Sequence, residues 1–222
     1  MEYKNIIEGR FIDRPNRFIA HVEIDGETEN VHVKNTGRCK ELLLPDCRVG
    51  LFKSDNPNRK TRYDLVSVYK EKIGWINMDS QAPNKVVLEW LRRQGLDYIK
   101  PEYTYGDSRI DFYMERDGAK YLMEVKGCTL EIDGIGYFPD APTERGVKHL
   151  RELTRAVSDG YKAYIAFVIQ MEGVNEVRPN ELMHREFAEA LHEAQKAGVK
   201  VLFLTCGVSM GALRILDENI LK

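Results

Sequence analysis

Two segments that read as β-strands, SRIDFYMER and KYLMEVKGCTL, flank the dipeptide Asp117-Gly118. Asp-Gly between alternating apolar segments is the strongest short-range hairpin signal, because a tight two-residue turn needs positive φ at both central positions. A hairpin closed by these two residues pairs positions whose numbers sum to 235, so Arg116 faces Ala119 and Glu115 faces Lys120. The same register sets Asp111 opposite Glu124, with Cβ atoms ~4.5–5.5 Å apart on one face. A four-residue loop keeps this register, whereas an odd-numbered loop breaks it. Lys126 shares the face of Glu124, since side chains two apart in a strand point the same way.

Opposed carboxylates repel, and in a strand as apolar as YLMEV their desolvation adds to the cost. A hard divalent cation between them removes the conflict. Mg²⁺ or Mn²⁺ fits, because such an ion takes oxygen ligands, needs only one or two carboxylates, and keeps positions for waters and substrate phosphates. Lys126 is placed to position an attacking water or to offset charge on a phosphate oxygen. The set Asp111, Glu124 and Lys126 therefore suits metal-assisted hydrolysis of a phosphodiester. The competing reading is a Glu124–Lys126 salt bridge on a solvated strand face.

The rest of the chain divides near residue 80. Residues 1–80 carry short alternating segments: RFIAHVEI, with Phe18, Ala20, Val22 and Ile24 on one face, an Asp25-Gly26 turn, then ENVHV, RVGLFKS, YDLVSVYK and GWINMD. About five short strands without a long helix predict a small closed all-β barrel or a sandwich, with the oligonucleotide-binding (OB) barrel among the candidates. From Ala82 the period changes. PNKVVLEWLRRQGL reads as a helix with Val87, Trp90 and Leu91 on one side and Gly95 as its stop. Three strands follow, then a long loop EIDGIGYFPDAP, a helix TERGVKHLRELTRAVSDG capped by Thr143 or Asp140, a buried strand YKAYIAFVIQM, a helix NELMHREFAEALHEAQKAG and a last strand VKVLFLTCGV. Residues 81–222 are thus expected to form an α/β domain with a mixed sheet covered on both faces.

A formal charge of −2 gives no global attraction to polyanions. Charge is uneven, however: Lys34 to Lys72 holds ten Lys or Arg against five Asp or Glu, while Ile73 onward holds 19 against 23. That stretch is either a solvated surface or a phosphate-binding patch. Cys39, Cys47, Cys128 and Cys206 show no close spacing, so neither a disulfide framework nor a zinc knuckle is indicated, and the cytoplasm is the expected compartment. No apolar run reaches membrane-spanning or signal-peptide length, and no membrane role is expected. VKVLFLTCGV, if it is an edge, offers a pairing surface for a homodimer.

Three further candidates remain open from sequence. Glu89 has Lys85 and Arg93 at i±4, the spacing of a surface ion-pair ladder, or else it is a further carboxylate reaching the metal. Arg145, His149 and Glu152 share a helix side, and the first two either face phosphate or are plain surface. His21, His32, His184 and His192 have no partner at metal spacing, and His184 and His192 are expected on a solvated helix side. Gln170 reads as a polar cap at the end of a buried strand, with a place beside the site as the alternative.

With Asp111, then Glu124-Val125-Lys126, on a hairpin between helices, the second half resembles the PD-(D/E)xK nuclease core of restriction enzymes and junction resolvases. That resemblance implies Asp111, Glu124 and the Val125 carbonyl as metal ligands, Lys126 as the catalytic lysine and Glu89 as the optional helix carboxylate. Ile110 stands where the motif has proline. The blocks HVKNTGRCKELLLPDCRVGL, SRIDF, EVKGCTL and FPDAPTERGVKHLREL, in this order, are similar to the sugar fermentation stimulation protein family, over nearly the whole chain. The similarity implies an OB-type barrel followed by a restriction-endonuclease-like domain, DNA binding and a link to regulation of sugar use. It places Asn35, Thr36, Gly37 and Arg38 in the family's N-terminal block and so gives the basic stretch from Lys34 a partner in phosphate. Lys34, Asn35, Thr36 and Arg38, with Arg145 and His149 from the later helix, are the expected nucleic-acid-binding residues. Double-stranded DNA is the expected substrate, RNA is a further option, and a non-catalytic regulator on the same scaffold is the alternative to a nuclease.

Overall fold

The computed structural model describes residues 1–35 and 37–217. The first six strands are β1 (Ile6–Asn16), β2 (Ile19–Ile24), β3 (Glu27–Val33), β4 (Arg48–Lys53), β5 (Tyr63–Lys70) and β6 (Gly74–Asn77). Antiparallel pairs run β3-β2-β1-β4-β5, and a parallel pairing of β3 with β5 closes five strands into a barrel, to which β6 is added on β5. This is an OB-like barrel. Its interior is built from Ala20, Val22, Val31, Val33, Val49, Leu51, Leu65 and Val68, all at most 1% exposed. The Asp25-Gly26 turn has φ of 54° and 86°, so both residues occupy the left-handed region that a two-residue hairpin requires.

Strand β1 was not expected, because a glycine interrupts its apolar alternation. A Cβ at Gly9 would lie 2.6 Å from Val22 Cγ1, so close passage of β1 over β2 excludes any side chain there. Phe18 also departs from expectation. It is 46% exposed because Asn16 Oδ1 accepts from the Phe18 and Ile19 N–H groups and turns the chain before β2 begins.

The second half continues with α1 (Ala82–Leu91), β7 (Tyr98–Tyr105), β8 (Ser108–Arg116), β9 (Ala119–Cys128), β10 (Leu130–Ile132), β11 (Ile135–Phe138), α2 (Glu144–Ser158), β12 (Lys162–Ile169), β13 (Val177–Pro179), α3 (Arg185–Lys196), β14 (Lys200–Leu204), β15 (Cys206–Ser209) and β16 (Ala212–Ile215). Its five-stranded sheet has the order β14-β12-β9-β8-β7 and is mixed: β9, β12 and β14 are parallel, β7 and β8 antiparallel. Residues alternate between two cores. Ile110, Leu122, Ile165 and Phe167 pack toward α2 and α3, and Phe112, Met123, Tyr164 and Ala166 toward α1 and the β15–β16 hairpin. Cover on both faces explains why β12 reads as an unbroken apolar run.

Thr143 caps α2 through Oγ1, which accepts from Gly146 N–H at 3.0 Å. Three departures lie in the connections. The loop EIDGIGYFPDAP contains the β10–β11 hairpin, turned by Asp133-Gly134 with φ of 51° and 80°, and β11 pairs in parallel with β13. The last predicted strand breaks at Thr205 into β14 and β15, and β15 then pairs with β16. Helix α3 begins only at Arg185, since Met183 and His184 donate to the Asn180 carbonyl in a separate turn. No described helix is long and apolar enough to cross a membrane.

Candidate metal and phosphate site

Asp117 and Gly118 have φ of 51° and 74°, and the β8–β9 ladder runs from Arg116↔Ala119 to Phe112↔Met123. Asp111 and Glu124 occupy the next position, where the regular ladder stops. Here the Asp111 side chain takes over from the backbone: Oδ2 accepts from Val125 N–H at 2.8 Å and Oδ1 from Asn84 Nδ2 at 2.7 Å. Asn84 comes from the first turn of α1, so the helix fixes the carboxylate from one side and the strand from the other.

Glu124 is 2% exposed. Its Oε1 accepts from Lys126 Nζ at 2.6 Å and is in contact with His149 Nδ1. Arg145 Nε donates to His149 Nε2 at 3.4 Å, which makes Nε2 the acceptor and Nδ1 the donor toward Glu124. The other oxygen, Glu124 Oε2, is buried without a hydrogen-bond partner among the described residues. Such an orphaned carboxylate oxygen costs free energy unless a ligand completes it. Together with Ser80, Lys85, Glu102 and Arg145, these groups line a depression of about 540 Å³.

The two carboxyls are driven in opposite directions. Burial pushes Asp111 above the usual carboxylate range and the charge of Glu124 adds to this, against the opposing pull of Val125 N–H, Lys126 and Asn84. Burial also raises Glu124, but the charge and hydrogen bond of Lys126 and the hydrogen bond from His149 outweigh it, so Glu124 lies below its ordinary value. An anionic Glu124 with one oxygen engaged and one open, beside a second carboxylate and a lysine, matches the oxygen-donor chemistry that hard divalent cations take.

Asp111, Glu124, Val125, Lys126 and Arg145 therefore converge on one depression. Glu89 does not join them. Its carboxylate meets the Met1 amino nitrogen at 2.7 Å in a separate depression with Arg93 and Arg214. The reason is helical phase: Asn84 is the α1 residue that faces Asp111, and five residues on at ~100° each the side chain has turned well away. His149 is not a solvent-facing phosphate ligand, for it is 4% exposed and backs Glu124 from inside.

Lys34 is likewise committed, with Nζ 2.8 Å from the fully buried Asp79 Oδ2. Asn35 Oδ1 accepts from Gly37 N–H at 2.8 Å, and Thr36 lies outside the described residues. Arg38 is exposed and shares a depression with Arg14, Arg17 and Lys40. Arg14 donates to the carbonyls of Arg17, Asn35, Gly37 and Arg38 and so fixes that loop. Gln170 bridges to the barrel, donating from Nε2 to the Asn77 carbonyl at 3.0 Å and Asn77 Oδ1 at 2.9 Å.

Two site residues escaped the sequence reading. Asn84 carries no pattern that marks it. Glu102 does: the β7–β8 register runs through Pro101↔Phe112 and Tyr103↔Ile110, which sets Glu102 across from Asp111, with φ of 54°. His184 also departs from expectation, as the Thr143 N–H donates to its Nδ1 at 3.3 Å and the ring is largely buried.

Comparison with known proteins agrees with this architecture along the chain. Residues 12–78 match the family described as the SfsA N-terminal OB domain, and residues 81–212 the family described as the sugar fermentation stimulation protein RE domain. A sugar fermentation stimulation protein homolog of Ruminiclostridium cellulolyticum is 57% identical over 219 residues, covering 97% of this chain and 96% of the relative. A homolog of Desulfitobacterium hafniense is 54% identical, covering 98% and 96%. Among solved structures, one described as Pyrococcus furiosus SfsA in complex with Ca²⁺ superposes with a TM-score of 0.85 at 28% identity, covering 99% of this chain and 96% of that one. The chain belongs to the sugar fermentation stimulation protein family.

Proposed function

We propose that this protein is a divalent-cation-dependent nuclease that holds nucleic acid on its barrel and cleaves a phosphodiester at the β8–β9 hairpin, on a PD-(D/E)xK-type site. The observation that carries this reading is Glu124: buried, held anionic by Lys126 and His149, and left with one unpartnered oxygen beside Asp111. A binding protein gains nothing from opposed carboxylates that repel phosphate. The Ca²⁺ complex of the Pyrococcus furiosus relative supports the binding of a divalent cation by a chain of this fold.

Asp111, Glu124 and the Val125 carbonyl would hold Mg²⁺ or Mn²⁺. When bound, the ion supplies positive charge against the phosphate oxygens and the leaving group. Lys126 contributes a second positive charge next to Glu124 and offers N–H donors to an attacking water or a phosphate oxygen. Arg145, at the rim, supplies a further donor to phosphate. Arg17, Arg38 and Lys40 on the barrel form the electrostatic footing for the strand, expected to be DNA, with RNA as the other polymer to test.

Incubation of labelled DNA and RNA with Mg²⁺ or Mn²⁺ tests the reading. Wild-type protein is expected to cut at least one of them, and Lys126→Ala to abolish cleavage while binding persists. A preparation that binds DNA but cuts nothing under any divalent metal would establish the non-catalytic regulator instead, a role that the barrel's basic depression alone suffices to support.

A further inference from the structure

Beside the carboxylate depression, a second cavity of about 290 Å³ opens between the barrel and the nuclease-like domain, and Ser80 lines both. The FPDAP segment that precedes α2 forms one wall, and Asn35 and Gly37 of the barrel form another. Two glycines keep it open. A Cβ at Gly37 would lie 2.3 Å from Asp140 Oδ2, and one at Gly127 would lie 2.2 Å from Gln170 Oε1.

Among the described residues, no donor reaches either oxygen. Gln170 is 2% exposed, and its amide is oriented by Nε2, whose hydrogens are used on Asn77 and Asp79 oxygens; among the described residues nothing donates to Oε1. Asp140 is half-buried, and among the described residues its carboxylate has no hydrogen bond or ion pair. A carboxylate and a bare amide oxygen repel phosphate and attract N–H donors. Tyr137 and Phe138 supply flat apolar surface on the same cavity, the kind that stacks on a base. At ~300 Å³, the lower end of ligand pockets, the volume suits one base with its sugar.

We propose that this cavity receives the base of an unpaired nucleotide next to the scissile phosphate, and that Asp140 and Gln170 select bases carrying an exocyclic amine. The placement of that phosphate rests on the nuclease reading. The chemistry of the cavity does not. Adenine, cytosine and guanine present an amine with two N–H donors to the two acceptors, whereas thymine offers a single N3–H flanked by O2 and O4, which the Asp140 carboxylate repels.

Thymine and 5-methylcytosine form a matched pair, since they keep the ring and methyl group and differ only in the donors and acceptors at position 4 and N3. Two single-stranded DNA probes, one all-thymidine and one all-5-methylcytidine, are titrated by fluorescence anisotropy in Ca²⁺, with cleavage followed separately in Mn²⁺. The 5-methylcytosine probe is expected to bind wild-type protein at least about tenfold more tightly, the effect of one charge-assisted hydrogen bond. Asp140→Asn is expected to bring the two probes within about twofold, and Lys126→Ala to leave the preference intact. Equal affinity of wild-type protein for the two probes overturns the proposal, even if both are cut, and so does failure to bind either. A preference without cleavage supports the cavity's role while removing the nuclease reading, so the two ideas fail separately.

Discussion

Asp111 and Glu124 share one depression but carry opposite electrostatic stress. Asp111 is raised by burial and by the neighbouring carboxylate, while Glu124 is held down by Lys126 and His149. Without a cation, Asp111 therefore opposes folding and its repulsion is stored in the site, the usual relation between function and stability. Replacing it by asparagine keeps one acceptor for Val125 or Asn84 and removes the repulsion. In EDTA, Asp111→Asn should remain within about 1 kcal/mol of wild type. Saturating Mn²⁺ should then raise the wild-type melting temperature by several degrees, given about 2–4 °C per kcal/mol for a chain of this size, and leave the variant unmoved. Thermal melts in EDTA and in Mn²⁺ decide it. An equal shift in both proteins would place the cation elsewhere.

At the scale of elements, the parallel contact that closes the barrel is fastened by Asp64. It pairs with His32 across β3–β5, His32 Nδ1 lies 2.9 Å from its Oδ1, and Arg59 donates to Oδ2 at 3.0 Å and to Oδ1 at 2.5 Å. Burial raises the Asp64 carboxyl, but Arg59 and His32 outweigh it and hold it below its ordinary value. A depressed folded pKa contributes stability that is fully present above the unfolded value of about 3.9 and is lost as pH falls through the folded one. Asp64→Asn should thus cost about 1–3 kcal/mol at neutral pH, and denaturant midpoints of the two proteins should converge below about pH 4. A gap that persists unchanged in acid would mean that packing, and not the ionised carboxylate, holds the closure. The elements themselves were legible where the signal is local. Asp25-Gly26 and Asp117-Gly118 announced their hairpins, and the second of them carried Asp111 and Glu124 to one position. The same dipeptide at Asp133-Gly134 was equally readable but lay within a segment taken for a loop. Strand β1 was hidden by Gly9, whose absent side chain serves a contact with β2 that only the closed barrel creates. Asn84 was illegible as a site residue, and His149 was legible only as a phosphate-facing candidate and not as the backing of Glu124, for a related reason: their partners lie 27 and 25 residues away, across helix–sheet packing that no local period encodes.

Across the whole molecule, the barrel and the α/β domain are joined by polar contacts as well as by chain connectivity. Asn77 N–H donates to the Gln170 carbonyl at 2.9 Å, and Gln170 Nε2 returns to Asn77. Ser67 Oγ donates to the Met210 carbonyl at 2.7 Å, and Lys70 Nζ reaches Glu131 Oε2 at 2.5 Å. The N-terminal segment adds to this, with Tyr3 N–H on the Gly211 carbonyl and Tyr3 Oη on the fully buried Asp79. Separating the domains would exchange these bonds for bonds to water, a net loss of about 0.5–1.5 kcal/mol each. One core cluster also runs without a break from barrel residues such as Leu51 and Ile76 into Leu150 and Phe167. Neither domain then opens alone at low cost, and a groove between them keeps its shape. Calorimetry of the full chain should accordingly show one transition with matching calorimetric and van't Hoff enthalpies. Gln170→Ala, which leaves the Asn77 side chain and the Asp79 carbonyl short of a donor at the centre of the joint, should move that transition down as a whole without splitting it. Two resolved peaks in the wild type would show that the domains fold independently and that the groove between them varies in width.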